Sequence, residues 1–308
     1  MYSLGTFYES GQGVEQSDEK AFAWYLKAAQ AGDESSMEKV AHFYETGQGV
    51  EQDAEKAAEW YQKAQGETPD ANKLYSIASS YENNGEYAKA LEYYQKAADL
   101  GYAYAMYQIG SLYAEGNGVE QDPEKATEWY LKALENGDTS ALCGIAYIYL
   151  LGKGVDVDYN TGLEWLMKGV EAGDPYAMRQ FGMAYERGSY GLEQDYAKAL
   201  EWYLRAAEQD ADDEYSLRIT AKKIGDLYRT GGYGLEVNGE KAVEWYTKSA
   251  DLGYTESMRM LGSIYEHGDW YGVGQNYAKA LEWYQKAFDA GYDEVVADID
   301  RIHEMGYS

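Results

Sequence analysis

Residues 116–130 read GNGVEQDPEKATEWY, a glycine-containing loop that leads into a helix-like stretch with Lys125 near its start. Two interpretations of this stretch are open. Backbone N–H groups at a helix N-terminus bind phosphates, so the loop could be a nucleotide site. The same residues could instead form a tight turn between two helices, because glycine tolerates the left-handed backbone that such a reversal needs.

The loop recurs along the chain. Close copies begin at Gly11 (GQGVEQS), Gly47 (GQGVEQD), Gly116 (GNGVEQD) and Gly152 (GKGVDVD), and looser copies at Tyr190 (YGLEQD), Tyr233 (YGLEVN) and Tyr271 (YGVGQN). An aromatic residue recurs in the stretch after each loop, and its successive copies are 33 to 43 residues apart. This spacing indicates an array of structural repeats. Repeat 3 lacks the loop and is expected to turn at Asn84-Gly85.

A helix is predicted on each side of the loop. Upstream, Ala105, Ile109 and Tyr113 are four residues apart on one helix face, and the residue three before the tyrosine is glycine or alanine in all eight copies, which favours close helix packing. Downstream, apolar residues at offsets 0, 3, 4, 7 and 8 from Ala126 form an amphipathic stripe. The tyrosine, which we call the landmark tyrosine, is Tyr8, Tyr44, Tyr81, Tyr113, Tyr149, Tyr185, Tyr228 and Tyr265.

The residue before each second helix decides between the two interpretations of the loop. Asp122, followed by Pro123 and Glu124, is a favourable helix start, since the Asp side chain can accept from the first free N–H groups. Its carboxylate would occupy the place of a phosphate, which favours the turn. The same position is Ser17, Asp53, Asp158, Asp195, Asn238 and Asn276, with Glu86 as the exception.

The pattern A-x-x-x-(L/I/F)-G-x-x-Y-x-x-G-x-G-V-x-x-D-x-x-K-A-x-x-W-Y-x-K-A-A-x-x-G resembles the Sel-1-like repeat, a relative of the tetratricopeptide repeat. The resemblance implies an all-α fold: a right-handed α/α superhelical solenoid of about eight helix-loop-helix repeats, whose first helices line a concave surface. It implies one solenoid over residues 1–308. Its repeats are expected at 1–33, 34–67, 68–102, 103–138, 139–174, 175–212, 213–254 and 255–292, with a C-terminal capping helix at 293–308.

Composition and spacing argue against several functions. The formal net charge of −28 disfavours nucleic-acid binding, and no run of residues is apolar enough for a membrane span. His42, His267 and His303 are too far apart along a solenoid to share a metal or a catalytic triad, and Cys143 is expected to be a packed or half-exposed thiol. We therefore expect no catalytic residue, no cofactor and no metal.

Binding residues are expected where the first helices depart from the repeat pattern. Tyr107 and Tyr147 lie at such positions. All seven arginines follow residue 178, where Arg179, Lys222, Lys223, Arg229 and Arg259 predict a basic patch for an acidic segment. Ion pairs with the abundant surface acids are the alternative. Trp270 and Tyr271 are inserted in repeat 8, either as interface anchors or as a cover over the last core layer.

The function expected from the resemblance is that of a non-catalytic scaffold or adaptor, of bacterial style, which binds a protein or peptide on its concave face. Alternatives are an immunity protein whose acidic surface neutralises a basic toxin, and a carbohydrate-active solenoid. Met1 aligns with Met37 inside a first helix, so we expect a chain that begins within a repeat without a signal peptide and that could be a fragment of a longer protein. Its compartment stays undetermined, and an uncapped face around Leu4 and Phe7 could support self-association.

Overall fold

The computed structural model describes residues 1–65, 70–268 and 272–307, which form two units, Met1–Asp158 and Tyr159–Ser308. In the described ranges the regular structure is helical, and the only β pairing is an isolated bridge between Gly232 and Leu235. The expected all-α repeat fold is therefore confirmed.

The first unit holds four helical hairpins and the first helix of repeat 5. Within a hairpin the two helices pack along each other, and the second helix packs on the first helix of the next hairpin. The helices are α1 Tyr2–Ser10, α2 Asp18–Gln30, α3 Glu34–Thr46, α4 Ala54–Gln65, α5 Ala71–Asn83, α6 Tyr87–Asp99, α7 Ala103–Glu115, α8 Pro123–Glu135 and α9 Ala141–Leu151.

The second unit begins with the second helix of repeat 5 and continues with three hairpins. A short 3-10 turn at Asp293–Val295 and a final helix follow, and Val295 and Ile302 pack against the last hairpin. The helices are α10 Tyr159–Glu171, α11 Pro175–Arg187, α12 Tyr196–Gln209, α13 Glu214–Thr230, α14 Gly239–Asp251, α15 Thr255–His267, α16 Tyr277–Asp289 and α17 Val296–Glu304.

The small residue of each first helix is a packing position, as the sequence predicts. A Cβ built on Gly110 would lie 2.8 Å from the ring of Tyr130, and one on Gly182 would lie 2.7 Å from the ring of Tyr203. The ring that fills this space comes from the second helix and not from the landmark tyrosine of the first helix. We call this residue the second-helix tyrosine; it is Tyr25, Tyr61, Tyr94, Tyr130, Tyr203, Tyr246 and Tyr284.

The loops before the second helices have the predicted capping geometry. Asp122 Oδ1 accepts a hydrogen bond from the backbone N of Lys125 at 3.0 Å, and Gly116 ends α7 with a left-handed φ of 74°. The Lys125 ammonium turns back to Asp122 Oδ2 at 3.0 Å and lies 5.4 Å from the centre of the Tyr113 ring. The lysine that suggested a phosphate site is therefore engaged within its own turn.

Candidate functional site

The first helices of each unit present one side that the neighbouring helices do not cover. We call it the first-helix face. In the first unit it is defined by Lys39, Tyr75, Tyr107 and Tyr147, and in the second unit by Arg179, Lys222, Lys223, Arg229 and Arg259. The tyrosines among them are half-buried, so each offers part of a ring to solvent.

A carboxylate accepts a hydrogen bond from most second-helix tyrosines. The Tyr25 hydroxyl donates to Glu9 at 2.5 Å, and Tyr203 donates to Glu186 at the same distance. In repeat 7, where Arg229 replaces this acid, Tyr246 donates to Asp226 at 2.6 Å. We call these acids the tyrosine-binding carboxylates; they are Glu9, Glu45, Glu82, Glu186, Asp226 and Glu266.

The next first helix often supplies a cation to the same carboxylate. Lys39 of repeat 2 binds Glu9 at 2.7 Å, and Lys223 of repeat 7 binds Glu186 at 3.1 Å. The guanidinium of Arg301 donates to both oxygens of Glu266 at 2.8 Å. Each hydrogen-bonded set of tyrosine, acid and cation therefore links consecutive hairpins on the first-helix face.

These contacts shift the ionisation of both partners. Burial and the hydrogen bond to Glu186 raise the pKa of the Tyr203 hydroxyl far above its ordinary value, which keeps it a donor. Burial alone would raise the pKa of Glu266, but hydrogen bonds from Arg301 and Tyr284 and the charge of Arg301 bring it below its ordinary value. The Glu266 carboxylate is therefore ionised near neutral pH.

The predicted basic residues of the second unit lie within this network of contacts. Lys222 contacts Asp226 at 2.9 Å and Glu256 at 3.1 Å. Arg179 forms an ion pair with the buried carboxylate of Asp210. The structure therefore contains the ion pairs that the sequence left as the alternative to a free basic patch.

Two further predicted cations have different surroundings. The Nε of Arg229 donates to the Tyr246 hydroxyl at 3.1 Å, so this side chain supports the hairpin. Arg259 is half-buried on α15, and its Nε is a buried donor with no hydrogen-bond partner among the described residues. The hydrogen bond to Glu294 raises the pKa of Tyr292, and the positive charge of Arg259 counteracts this rise.

The first unit has an aromatic cluster on and beside its first-helix face. The Tyr75 ring lies 5.2 Å from that of Tyr102, which lies 5.8 Å from that of Tyr104. Tyr104 is 60% exposed. Tyr107 packs on Tyr130 with ring centres 5.2 Å apart. We call Tyr75, Tyr102, Tyr104 and Tyr107 the tyrosine cluster.

The tyrosine-binding carboxylates are the feature that sequence reasoning missed, although a signal was present. The residue after the landmark tyrosine is glutamate in repeats 1, 2, 3, 6 and 8. In repeat 5 the second-helix position is Leu166 instead of tyrosine, and the residue after the landmark tyrosine is Leu150; both leucines are buried. In repeat 5 the acid is therefore replaced, because there is no tyrosine hydroxyl that needs an acceptor.

Three predicted positions remain. Trp270 and Tyr271 lie outside the described residues. Cys143, expected to be a packed or half-exposed thiol, is buried. Among described residues no group of three histidine, cysteine, aspartate or glutamate side chains is arranged to hold a metal ion. No described helix has the length and hydropathy needed to cross a membrane.

Comparison with solved structures gives relatives of the same fold. A Sel1 repeat protein from Oxalobacter formigenes is 26% identical, with a TM-score of 0.50 and coverage of 94% of this chain and 100% of that one. Yeast Tom70 is 16% identical, with a TM-score of 0.59 over 93% of this chain and 59% of its own. A protective antigen of uropathogenic Escherichia coli strains with an SLR fold is 32% identical, with a TM-score of 0.48 and 94% of this chain covered; this chain spans 61% of its length.

No curated protein sequence matched the chain. The Sel1 repeat family model matches residues 1–33, 35–64, 84–102, 103–138, 139–174, 175–210, 221–254 and 255–292. These matches cover well over half of the sequence, so the chain belongs to the Sel1 repeat family.

Proposed function

We propose that this protein is a non-catalytic scaffold that binds a protein or peptide on its first-helix face. The observation that carries the proposal is the tyrosine cluster, in which Tyr104 is 60% exposed beside the half-buried Tyr75, Tyr102 and Tyr107. Tyrosine gives a large contact area at a small cost in conformational entropy, and its hydroxyl can bind polar groups of a partner. Tyr147 extends the proposed surface along the next first helix.

In the second unit we propose Arg179, Lys222, Lys223, Arg229 and Arg259 as the charged part of the binding surface. Acids of the same chain pair with Arg179, Lys222 and Lys223 and so lower the free positive charge of this surface. An acidic partner segment would have to compete with these acids, which are Asp210, Asp226, Glu186 and Glu256. Tyr104 of the tyrosine cluster is 60% exposed and can contact a partner directly. We therefore place the main anchor of the partner in the first unit.

The test is affinity capture from the source organism with two matched variants. Tyr104→Ala/Tyr107→Ala removes the exposed ring of Tyr104 and the half-buried ring of Tyr107, and Phe288→Ala removes a 40% exposed ring from a second helix. We expect specific partners to be depleted at least about tenfold by the first variant, since truncating an interface anchor costs about 2 kcal/mol. The Phe288→Ala variant should retain them.

Circular dichroism and thermal unfolding must show that both variants fold. Equal recovery of the same partners by the folded Tyr104→Ala/Tyr107→Ala variant would contradict the proposal.

An immunity protein that neutralises a basic toxin is a second candidate function, favoured by the surplus of acidic side chains. Such a partner would be held largely by charge, so its capture should fall steeply between about 0.1 and 0.5 M NaCl. A partner held by the tyrosine cluster should resist the same wash. The salt dependence of capture therefore separates the two functions.

A further inference from the structure

The glycine loop of one repeat packs on the start of the second helix in the repeat before it. A Cβ on Gly49 would lie 2.3 Å from the backbone C of Asp18, at the start of α2. A Cβ on Gly118 would lie 2.5 Å from Tyr87 Cβ at the start of α6, and one on Gly154 would lie 3.0 Å from Pro123 Cδ at the start of α8. In the first unit these helix starts are therefore covered by a glycine turn from the following repeat.

The start of α4 is different because repeat 3 has lost the loop. The chain passes from Asn83 at the end of α5 to Tyr87 at the start of α6 through only three residues. A Cβ on Gly85, the glycine of this short turn, would meet nothing within 4 Å. Asn84 of this turn hydrogen-bonds Gln52 in the loop before α4, and Glu55 and Lys56 at the helix start are exposed.

A cleft of about 410 Å³ lies at this position. Its lining includes Asp53, Glu55 and Lys56 at the start of α4, and Tyr81, Glu86 and Lys89 from the next repeat. A cleft of about 470 Å³ at the equivalent position of repeat 4 is lined by residues of that repeat alone. The cleft at α4 and a further cleft of about 400 Å³ at α8 both reach across to the following hairpin, but the wall at α8 includes Val155 of the glycine loop, which repeat 3 lacks.

The charges at the cleft favour a basic occupant. Lys56 is held by Asp53 at 2.7 Å, and Lys89 is held by Glu86 at 2.9 Å. Glu51 and Glu55 are exposed at the same cleft, so negative charge remains at its rim after the two pairs are formed.

One glycine turn of this chain carries a basic residue. In the turn Gly152–Val155, Lys153 stands between the two glycines and forms an ion pair with Glu115 of the preceding repeat, while Gly154 approaches Pro123. Gly152 and Gly154 have φ values of 67° and 75°, which disfavour a side chain at either position. A lysine between two left-handed glycines thus reaches an acid of the preceding hairpin, Glu115 at the end of α7.

We propose that the cleft at the start of α4 is a docking site for a glycine-containing tight turn of a partner protein, with lysine or arginine next to the glycines. The partner turn takes the place that the missing loop of repeat 3 leaves, and its cation pairs with Glu51 and Glu55. The site lies on the loop edge and not on the first-helix face, so it is independent of the function proposed above.

The probe is a fluorescent cyclic peptide with the sequence of residues 151–155, LGKGV, titrated into the full chain and followed by anisotropy. We expect weak, saturable binding that the double variant Glu51→Lys/Glu55→Lys weakens at least about tenfold by charge repulsion. A peptide with alanine in place of its second glycine should bind at least about tenfold more weakly, because alanine is strained at positive φ. The control is Glu19→Lys at the start of α2, which the glycine turn at Gly49 covers, and this variant should leave the affinity unchanged.

A second variant fills the site from within the chain. Replacing the turn Asn84-Gly85 by the repeat 4 loop should supply the missing turn and abolish peptide binding in a folded protein. Equal affinity for the wild type and for Glu51→Lys/Glu55→Lys would overturn the proposal, as would loss of binding in Tyr104→Ala/Tyr107→Ala. Concentration-dependent dimerisation that the double variant abolishes would also overturn it, since the occupant would then be a second copy of this chain.

Discussion

The second-helix tyrosine explains why an acid follows most landmark tyrosines. Its ring fills the space beside the small residue of the first helix, and this burial would leave its hydroxyl without water. A carboxylate one residue after the landmark tyrosine accepts the hydrogen bond, and a cation from the next hairpin neutralises the carboxylate. Glu266 is the most complete case, because Tyr284 and Arg301 both donate to it.

Glu266→Gln should lower the free energy of unfolding by about 2 kcal/mol at pH 7, because a buried charge-assisted pair with Arg301 is lost. The pKa of Glu266 is depressed in the folded protein, so its contribution is present above the ordinary value of 4.5 and is lost as the pH falls through the folded pKa. The difference between wild type and variant in urea unfolding should therefore shrink in acid.

Glu282→Gln is the matched control for Glu266→Gln. Glu282 forms an exposed pair with Lys286 one helical turn away, so its loss should change stability by less than about 0.5 kcal/mol. If the two variants were equally stable at pH 7, the pair between Glu266 and Arg301 would not contribute as described.

The glycine loop connects two helices and also joins two repeats. Its first glycine ends the first helix, and its second glycine brings the turn against the preceding hairpin, as Gly118 does at Tyr87. A loop residue is therefore part of the packing between repeats. The absence of this loop in repeat 3 changes the surface of repeat 2, which is where we place the additional docking site.

Gly118→Ala should destabilise the protein by about 2–4 kcal/mol, the sum of a left-handed alanine and of the overlap with Tyr87. Gly13→Ala is the control, because Gly13 has a similar φ of 75° but a Cβ there would meet nothing within 4 Å. Gly13→Ala should lower the free energy of unfolding by only about 1 kcal/mol, because backbone strain is its only cost. Equal losses in urea unfolding would show that the contact between repeats contributes little.

The sequence predicted the features that are local to one repeat. The landmark Tyr113, the cap Asp122 and the helices on either side follow from spacing within about thirty residues, and all are confirmed. Pairs such as Glu186 with Lys223, which are 37 residues apart, depend on how one hairpin stacks on the next. One repeat does not specify that geometry, so the sequence left a basic patch and ion pairs with surface acids as alternatives.

The negative charge is spread over both units. Residues 1–158 carry 11 basic and 27 acidic side chains, and residues 159–308 carry 15 and 27. Many lysines lie over aromatic rings, such as Lys132 at 3.9 Å from the centre of the Trp129 ring and Lys168 at 3.5 Å from that of Trp165. The cations thus support the hairpins, and the surplus carboxylates remain at the surface of each unit.

Salt should therefore stabilise the folded protein. Raising NaCl from about 10 to about 150 mM shortens the screening length from about 30 to about 8 Å, which removes repulsion between distant carboxylates. Contacts near 3 Å, such as Lys223 with Glu186, lie well inside either length, and each exposed pair contributes only about 0–1 kcal/mol. Relief of repulsion is the larger effect, and a gain of about 1 kcal/mol corresponds to a rise of about 2–4 °C in the unfolding midpoint.

Scanning calorimetry measures the shift, and KCl at equal ionic strength should reproduce it. A midpoint that falls with salt would show that the ion pairs outweigh the surplus charge.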